Sequence, residues 1–147
     1  MKFARAVFLI AGLWGLIILM PLYFTFDLVG RSFPPAITHA DFYYGFVSVA
    51  LAWQIAFLVI AGNPVRHRPF MLAAVLEKLI YVTTIVSLYV NGNVRLAQAA
   101  VAVPDFVLAL LFVAAFTATP EADSRSLNYV PTIPRTPAYA RWGSWSA

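Results

Sequence analysis

The chain has no cysteine among its 147 residues, which excludes a disulfide framework, a thiolate metal site and a cysteine nucleophile. Charge is scarce as well: ten Lys and Arg, six Asp and Glu, together 11% of the residues. What fills the sequence instead is apolar, at 62% of residues and a mean hydropathy of +0.80. No ordinary soluble domain has that composition, and it identifies an integral membrane protein. A net charge of +4 invites a nucleic-acid reading, but the basic residues form no run and stand beside apolar segments. They are better explained as orientation determinants, so no nucleic-acid partner is expected. Phosphate-binding loops, serine elbows and metal-ligand spacings are also missing, and "GLWG" at 12–15 lies inside an apolar run with no strand before it.

Four segments of about 20 residues pass with few charges, the length needed to cross a hydrocarbon core of roughly 30 Å. They cover residues 6–24, 42–61, 70–90 and 96–116. The first follows "MKFAR", yet "MPLYFTFD" after it offers no small-residue cleavage site, so it reads as a retained helix rather than a signal peptide. Pro34 and Pro35 interrupt the first connection, and Thr38 followed by Asp41 resembles a capping box opening the second span. "GNPVRHRP" separates the second and third spans, and "NGN" at 91–93 predicts a tight turn. The expected fold is all-α: an integral membrane four-helix bundle of two hairpins at residues 1–119, followed by a Pro- and aromatic-rich tail at 120–147.

Basic residues near span ends set the orientation. Lys2, Arg5, Arg66, Arg68 and Arg125 fall on one side, with Arg135 and Arg141 further along the tail, while Arg31 and Arg95 fall on the other. Both termini are therefore expected in the cytoplasm. The outer loop, residues 25–41, is then flanked by Tyr23, Phe24, Phe26, Phe42, Tyr43 and Tyr44, an interfacial aromatic belt.

The third span contains "LEKLIYVTT" at 76–84, with Glu77 and Lys78 adjacent inside apolar sequence. From the start of the span they lie at a depth of roughly 10–12 Å, where a lone charge costs from about 2.5 kcal/mol upward. Lys78 has two outcomes open, snorkelling to the headgroups or facing a partner. Glu77 is too short to snorkel as far, and Tyr81 and Thr84 follow on its face, with Ser87 and Asn91 drifting to one flank. The fourth span offers Gln98 and Asp105, seven residues apart, with Pro104 freeing the carbonyl of Ala100. Antiparallel packing brings Asp105 to within about 6 Å of Glu77 in depth. Three arrangements satisfy these groups: Lys78 bridging to Asp105, a protonated Glu77 bonded to Tyr81 or Gln54, or two acids sharing a proton. Glu77, Lys78, Tyr81, Gln54, Gln98 and Asp105 form the candidate intramembrane polar cluster. It reads either as a network holding the helices in register or as a site for a small lipophile or a proton.

On the second span Tyr43, Val47, Ala50 and Gln54 share one side, and Ser48, Ala52 and Ala56 form a small-residue seam, with Gly12 and Gly15 doing similar work on the first. His39 and His67 fall at opposite ends of the spans, about a membrane thickness apart, which excludes a haem held between them. A cation held by His39, Asp41 and Asp27 is a minor alternative. An enzyme would have to use Glu77 or Asp105 with Trp53, an analogy with membrane isomerases that work through one acid and an aromatic pocket.

The tail from Pro120 carries four prolines after Thr119, with Tyr129, Tyr139, Arg141, Trp142 and Trp145 among them. Arginine and aromatic residues of this kind anchor protein interfaces, and the tail is expected to dock on another subunit. "GRSFPPAITHADFYYGF", "ALAWQ", "NPVRHRPFM" and "LEKL" together resemble a group of small bacterial four-helix membrane proteins without an assigned function, over roughly residues 4–116. The resemblance implies four membrane helices and, through its bacterial members, an inner-membrane location; it transfers no activity. The leading expectation is an accessory or structural subunit of a larger membrane complex, electron transport being one setting, with lipids and other membrane subunits as partners. No cofactor is expected; the alternative is binding or transport of a small lipophile such as a quinone or lipid. A membrane enzyme ranks third.

Overall fold

A computed structural model describes residues 2–32 and 36–121; the tail residues Tyr129, Tyr139, Arg141, Trp142 and Trp145 lie outside them. Every regular element among the described residues is helical. That follows from the solvent: in hydrocarbon a backbone must satisfy its own hydrogen bonds, and a helix does so within one segment. Helix α1 spans Lys2–Leu19 and tightens into a 3-10 turn, Met20–Phe24, at Pro21. A short α2, Phe26–Ser32, follows, with Asp27 in its first turn and Arg31 in its last, each favourable to the helix dipole. This helix lies inside the loop expected at 25–41, because seven residues are too few for a periodic signal.

The long helices α3, Ala40–Gly62, and α4, Arg68–Val90, come next. The expected Thr38 capping box does not form: His39 is the N-cap of α3 and makes no side-chain cap bond. The turn at "NGN" does form, with the backbone paired as in a Schellman motif. Asn93 N–H donates to Leu88 C=O at 2.9 Å and Gly92 N–H to Tyr89 C=O at 3.0 Å. Gly92 takes φ +74°, a conformation that costs glycine least. The last segment is broken. A four-residue α5, Leu96–Ala99, leads through a 3-10 turn, Ala100–Ala102, into α6, Val103–Ala118. Pro104 causes the break, because it has no N–H to give the Ala100 carbonyl. Val103 N–H donates to that carbonyl instead, three residues on, which is the 3-10 pattern.

Four segments of 23 residues, Lys2–Phe24, Ala40–Gly62, Arg68–Val90 and Leu96–Ala118, are long and apolar enough to cross a membrane. At 1.5 Å per residue each reaches about 34 Å. The chain is a multi-pass membrane protein by this criterion.

Long-range side-chain bonds show which ends lie together. Arg5 Nε and Nη2 donate to the carbonyls of Ala61 and Gly62, at 3.2 and 3.3 Å, closing the C-terminus of α3 with the N-terminal turn of α1. Arg68 at the start of α4 pairs with Glu121 beyond α6 at 3.0 Å and lies over the Phe116 ring. Lys2, Arg5, Arg66 and Arg68 thus share one end. At the other, Tyr23 bonds Ser48 at 2.6 Å, Tyr43 donates to Leu22 C=O at 3.0 Å, and Phe26 stacks on Tyr44.

The core sits toward the basic end. Phe8 of α1 stacks on Phe112 of α6 at 4.3 Å between centroids, and Phe57 of α3 meets Phe112 edge-on at 4.9 Å. Ala4, Ala11, Ile60, Met71 and Ala74 complete a fully buried cluster. Close approach of α1 to α3 depends on Gly12, where a Cβ would lie 2.8 Å from the Leu58 side chain and 3.0 Å from the Gln54 carbonyl. The expected Ser48, Ala52 and Ala56 seam is not buried: Ser48 and Ala52 are exposed and Ala56 half-buried. The packed face of α3 is that of Val47, Gln54 and Phe57. Ile10, Ile17, Phe42, Ile80 and Leu110 point outward, a surface suited to lipid rather than water.

Replacing Phe112 by Ala should cost about 3–5 kcal/mol of stability by the loss of a fully buried ring. Phe106→Ala, on the exposed side of the same helix, should leave the thermal midpoint in detergent within a few degrees of the parent.

Candidate functional site

Lys78 stands ten residues into α4, about 15 Å from its start, and only 8% of its side chain is exposed. Its Nζ lies 2.5 Å from Asp105 Oδ1 on α6 and 3.3–3.4 Å from the two carboxylate oxygens of Glu77. It also sits 5.4 Å above the Phe57 ring, on the roof of the aromatic core. Of the two outcomes open to Lys78, snorkelling is therefore not the one taken. Its ammonium turns inward, where two carboxylates lie within 3.4 Å and the Phe57 face adds a favourable quadrupole.

Asp105 owes its position to the break. It occupies the first turn of α6, nine residues beyond Leu96, and faces Lys78 of α4. The same break removes Gln98 from the cluster. Seven residues share a face only along a continuous helix, and each 3-10 residue advances about 120° rather than 100°, so three of them rotate the face by roughly 60°. Gln98 instead accepts the Arg95 N–H at 2.9 Å, closing the start of α5. The expected polar stripe on α4 divides too. Thr84 donates to Ile80 C=O and Asn91 to Ser87 C=O, both at 2.8 Å and both on the exposed side. Neither joins the charged group.

Directly above the Phe8, Phe57 and Phe112 core the helices line a half-open cavity of about 450 Å³. Its polar wall is Lys78, Glu77, Asp105, Tyr81 and Gln54; its apolar wall includes Trp14, Ile18, Phe46 and Leu108. The five polar residues are thus brought together around one space. Gln54 is 4% exposed and donates Nε2–H to Ala50 C=O at 2.9 Å, so its amide is not the partner of Glu77. A Cβ at Gly15 would collide with the Gln54 side chain, which makes that glycine the condition for Gln54 to lie where it does. Tyr81 stacks on Phe46 at 6.5 Å, joining α4 to α3 across the cavity wall. Trp53 is not part of the site; it stacks on Phe70 at 5.9 Å, beyond Phe57, so the acid-and-Trp53 pairing considered for an enzyme does not assemble.

Trp14, Ile18 and Phe46 went unremarked in the sequence. Trp14 and Ile18 are four apart and share a helix face, but a Trp in an apolar span gives no sign of whether it turns toward lipid or protein. Both are about half exposed, as is Val101 at the opposite wall, so the cavity rim reaches the outer surface of the helices. A cation at His39, Asp41 and Asp27 gains no support, since among the described residues no group of three such side chains could hold a metal ion. His39 packs edge-on against Phe42 instead.

No family model, curated protein or solved structure matches this chain.

Replacing Lys78 by Met leaves two half-buried carboxylates without a counter-charge and should destabilise the protein by up to about 3–5 kcal/mol. The double replacement Lys78→Met with Asp105→Leu should recover most of that loss. A double-mutant cycle on detergent unfolding midpoints checks the coupling, and strict additivity of the two single changes would refute it.

Proposed function

We propose that the protein binds a small lipophilic molecule within the membrane, in the cavity between Lys78, Asp105 and Gln54 on one side and Trp14, Ile18 and Phe46 on the other. The observation that carries this reading is the cavity itself: about 450 Å³, mostly apolar, with a few convergent polar groups at one wall. Sites for small molecules have that constitution. Ionisable groups at mid-membrane depth reinforce it, because they are expensive and cluster on ligand or proton pathways. A lipid or a quinone has the right dimensions and polarity.

The setting proposed for this site is a four-helix bundle of two hairpins in a bacterial inner membrane, with both termini cytoplasmic. Support comes from Lys2, Arg5, Arg66 and Arg68 gathered at one end and the Tyr23, Tyr43 and Tyr44 group at the other. The natural absence of cysteine makes the test direct. A membrane-impermeant maleimide applied to intact cells should label the Asn93→Cys variant and spare Arg66→Cys; the reverse pattern would invert the topology.

Occupancy is tested by purification in mild detergent followed by organic extraction. The parent chain should release a lipophile in near-stoichiometric amount, whereas Ala50→Phe, which fills the cavity wall, should release much less while keeping its helical spectrum. An extract holding only bulk phospholipid in both would sink the reading. The subunit role favoured by the tail's arginines and aromatics predicts another outcome: larger proteins co-purifying in fixed ratio and lost on truncation after Thr119.

A further inference from the structure

The cavity wall carries an imbalance of charge that narrows what it can bind. One ammonium, Lys78, faces two carboxylates, Glu77 and Asp105. Asp105 holds the closer contact, at 2.5 Å against 3.3 Å for the nearer Glu77 oxygen, so Lys78 is matched to Asp105 and Glu77 is the surplus acid. Neighbours on the other elements do not offset it. Around the cavity, among the described residues, α1 contributes Ala11, Trp14, Gly15 and Ile18, α3 contributes Phe46, Ala50 and Gln54, and the one further ionisable group is Tyr81 on α4 itself. In a mostly apolar space a net negative charge is costly. A proton on the carboxylate pair removes it, and so does a bound cation.

We infer that the site takes a lipophilic monocation, an organic ammonium or a similarly delocalised cation, in exchange for one proton. This rests on the reading of the cavity as a lipophile site and adds the charge of the occupant. An anionic lipophile would add to the surplus. A neutral one leaves it unanswered. A cation restores one-to-one pairing, and Trp14, Phe46 and Tyr81 line the same cavity, aromatic rings of the kind that attract a cation with little hydration to lose. The step balances: the proton leaves the Glu77–Asp105 pair for water, the cation takes its place, and the charge of the site is the same before and after. The half-exposed rim at Trp14, Ile18 and Val101 provides an approach from the hydrocarbon, where such a cation partitions.

The test uses the full chain in lipid nanodiscs with tetraphenylphosphonium as the probe. Calorimetry in buffers of different ionisation enthalpy should give one cation bound and close to one proton released. Affinity should rise by up to about tenfold per pH unit where the site is protonated. Glu77→Gln should abolish the proton release, and Thr84→Ala, on the exposed side of α4, should behave as the parent. Cation binding without proton release in the parent chain overturns the exchange. A short-chain benzoquinone that binds where the cation does not overturns the cation assignment and leaves the lipophile site standing. If neither binds, both readings fall. Proton release is measured on the unaltered chain, so a misfolded Glu77→Gln variant does not remove the decision.

Discussion

The contact of the Lys78 ammonium with Asp105 and Glu77 is the constraint around which the rest is arranged. Three charges at mid-helix depth are tolerable only if they meet, and they meet only if α4 and α6 hold a particular register and rotation. The buried core fixes the first requirement from below, since Phe57 and Phe112 lock α3 and α6 against α1 through Phe8, and Met71, Ala74 and Val75 bring α4 into the same cluster. Pro104 meets the second. By forcing a 3-10 turn at Ala100–Ala102 it rotates α6 relative to α5 and sets Asp105 toward Lys78.

The same geometry produces the cavity. Toward the basic end small residues, Ala4, Ala11, Ala74 and Ala115, let the helices approach and the space between them is filled by rings. Above that level Gly15 and Ala50 leave room, and the larger side chains, Trp14, Ile18 and Phe46, stand at the rim rather than in the middle. Packing is thus dense where the protein is apolar and open where it is charged. A network serving register alone would gain by excluding space around its charges, because an enclosed void forfeits contacts. That contrast is the physical ground for reading the charged group as a binding wall.

Much of the outline was legible in the sequence for one reason: hydrocarbon imposes length. Four apolar segments bounded by proline, glycine and basic residues leave little freedom in where helices begin and end. The Gly92 turn and the proline-induced break at Ala100 were legible because both follow from local backbone chemistry. Less legible was anything that depends on rotation about a helix axis. Gln98 looked like a neighbour of Asp105 until three residues of tighter helix turned it away, and Thr84, Ser87 and Asn91 looked like one polar stripe with Glu77, though Thr84 and Asn91 donate within their own helix. In an apolar span nearly every position is hydrophobic, so periodicity does not mark an inner face as it does in water.

By itself the sequence determined that this is a multi-pass helical membrane protein and that Glu77, Lys78 and Asp105 needed partners, because segment length and the cost of buried charge are properties of residues alone. Tertiary structure decided which partners they took, that Lys78 turns inward rather than to the headgroups, and that Trp14, Ile18 and Phe46 complete a cavity around them. Those outcomes depend on the distance between helices and on their rotation, which are set by rings and glycines many residues away from the charges they bring together.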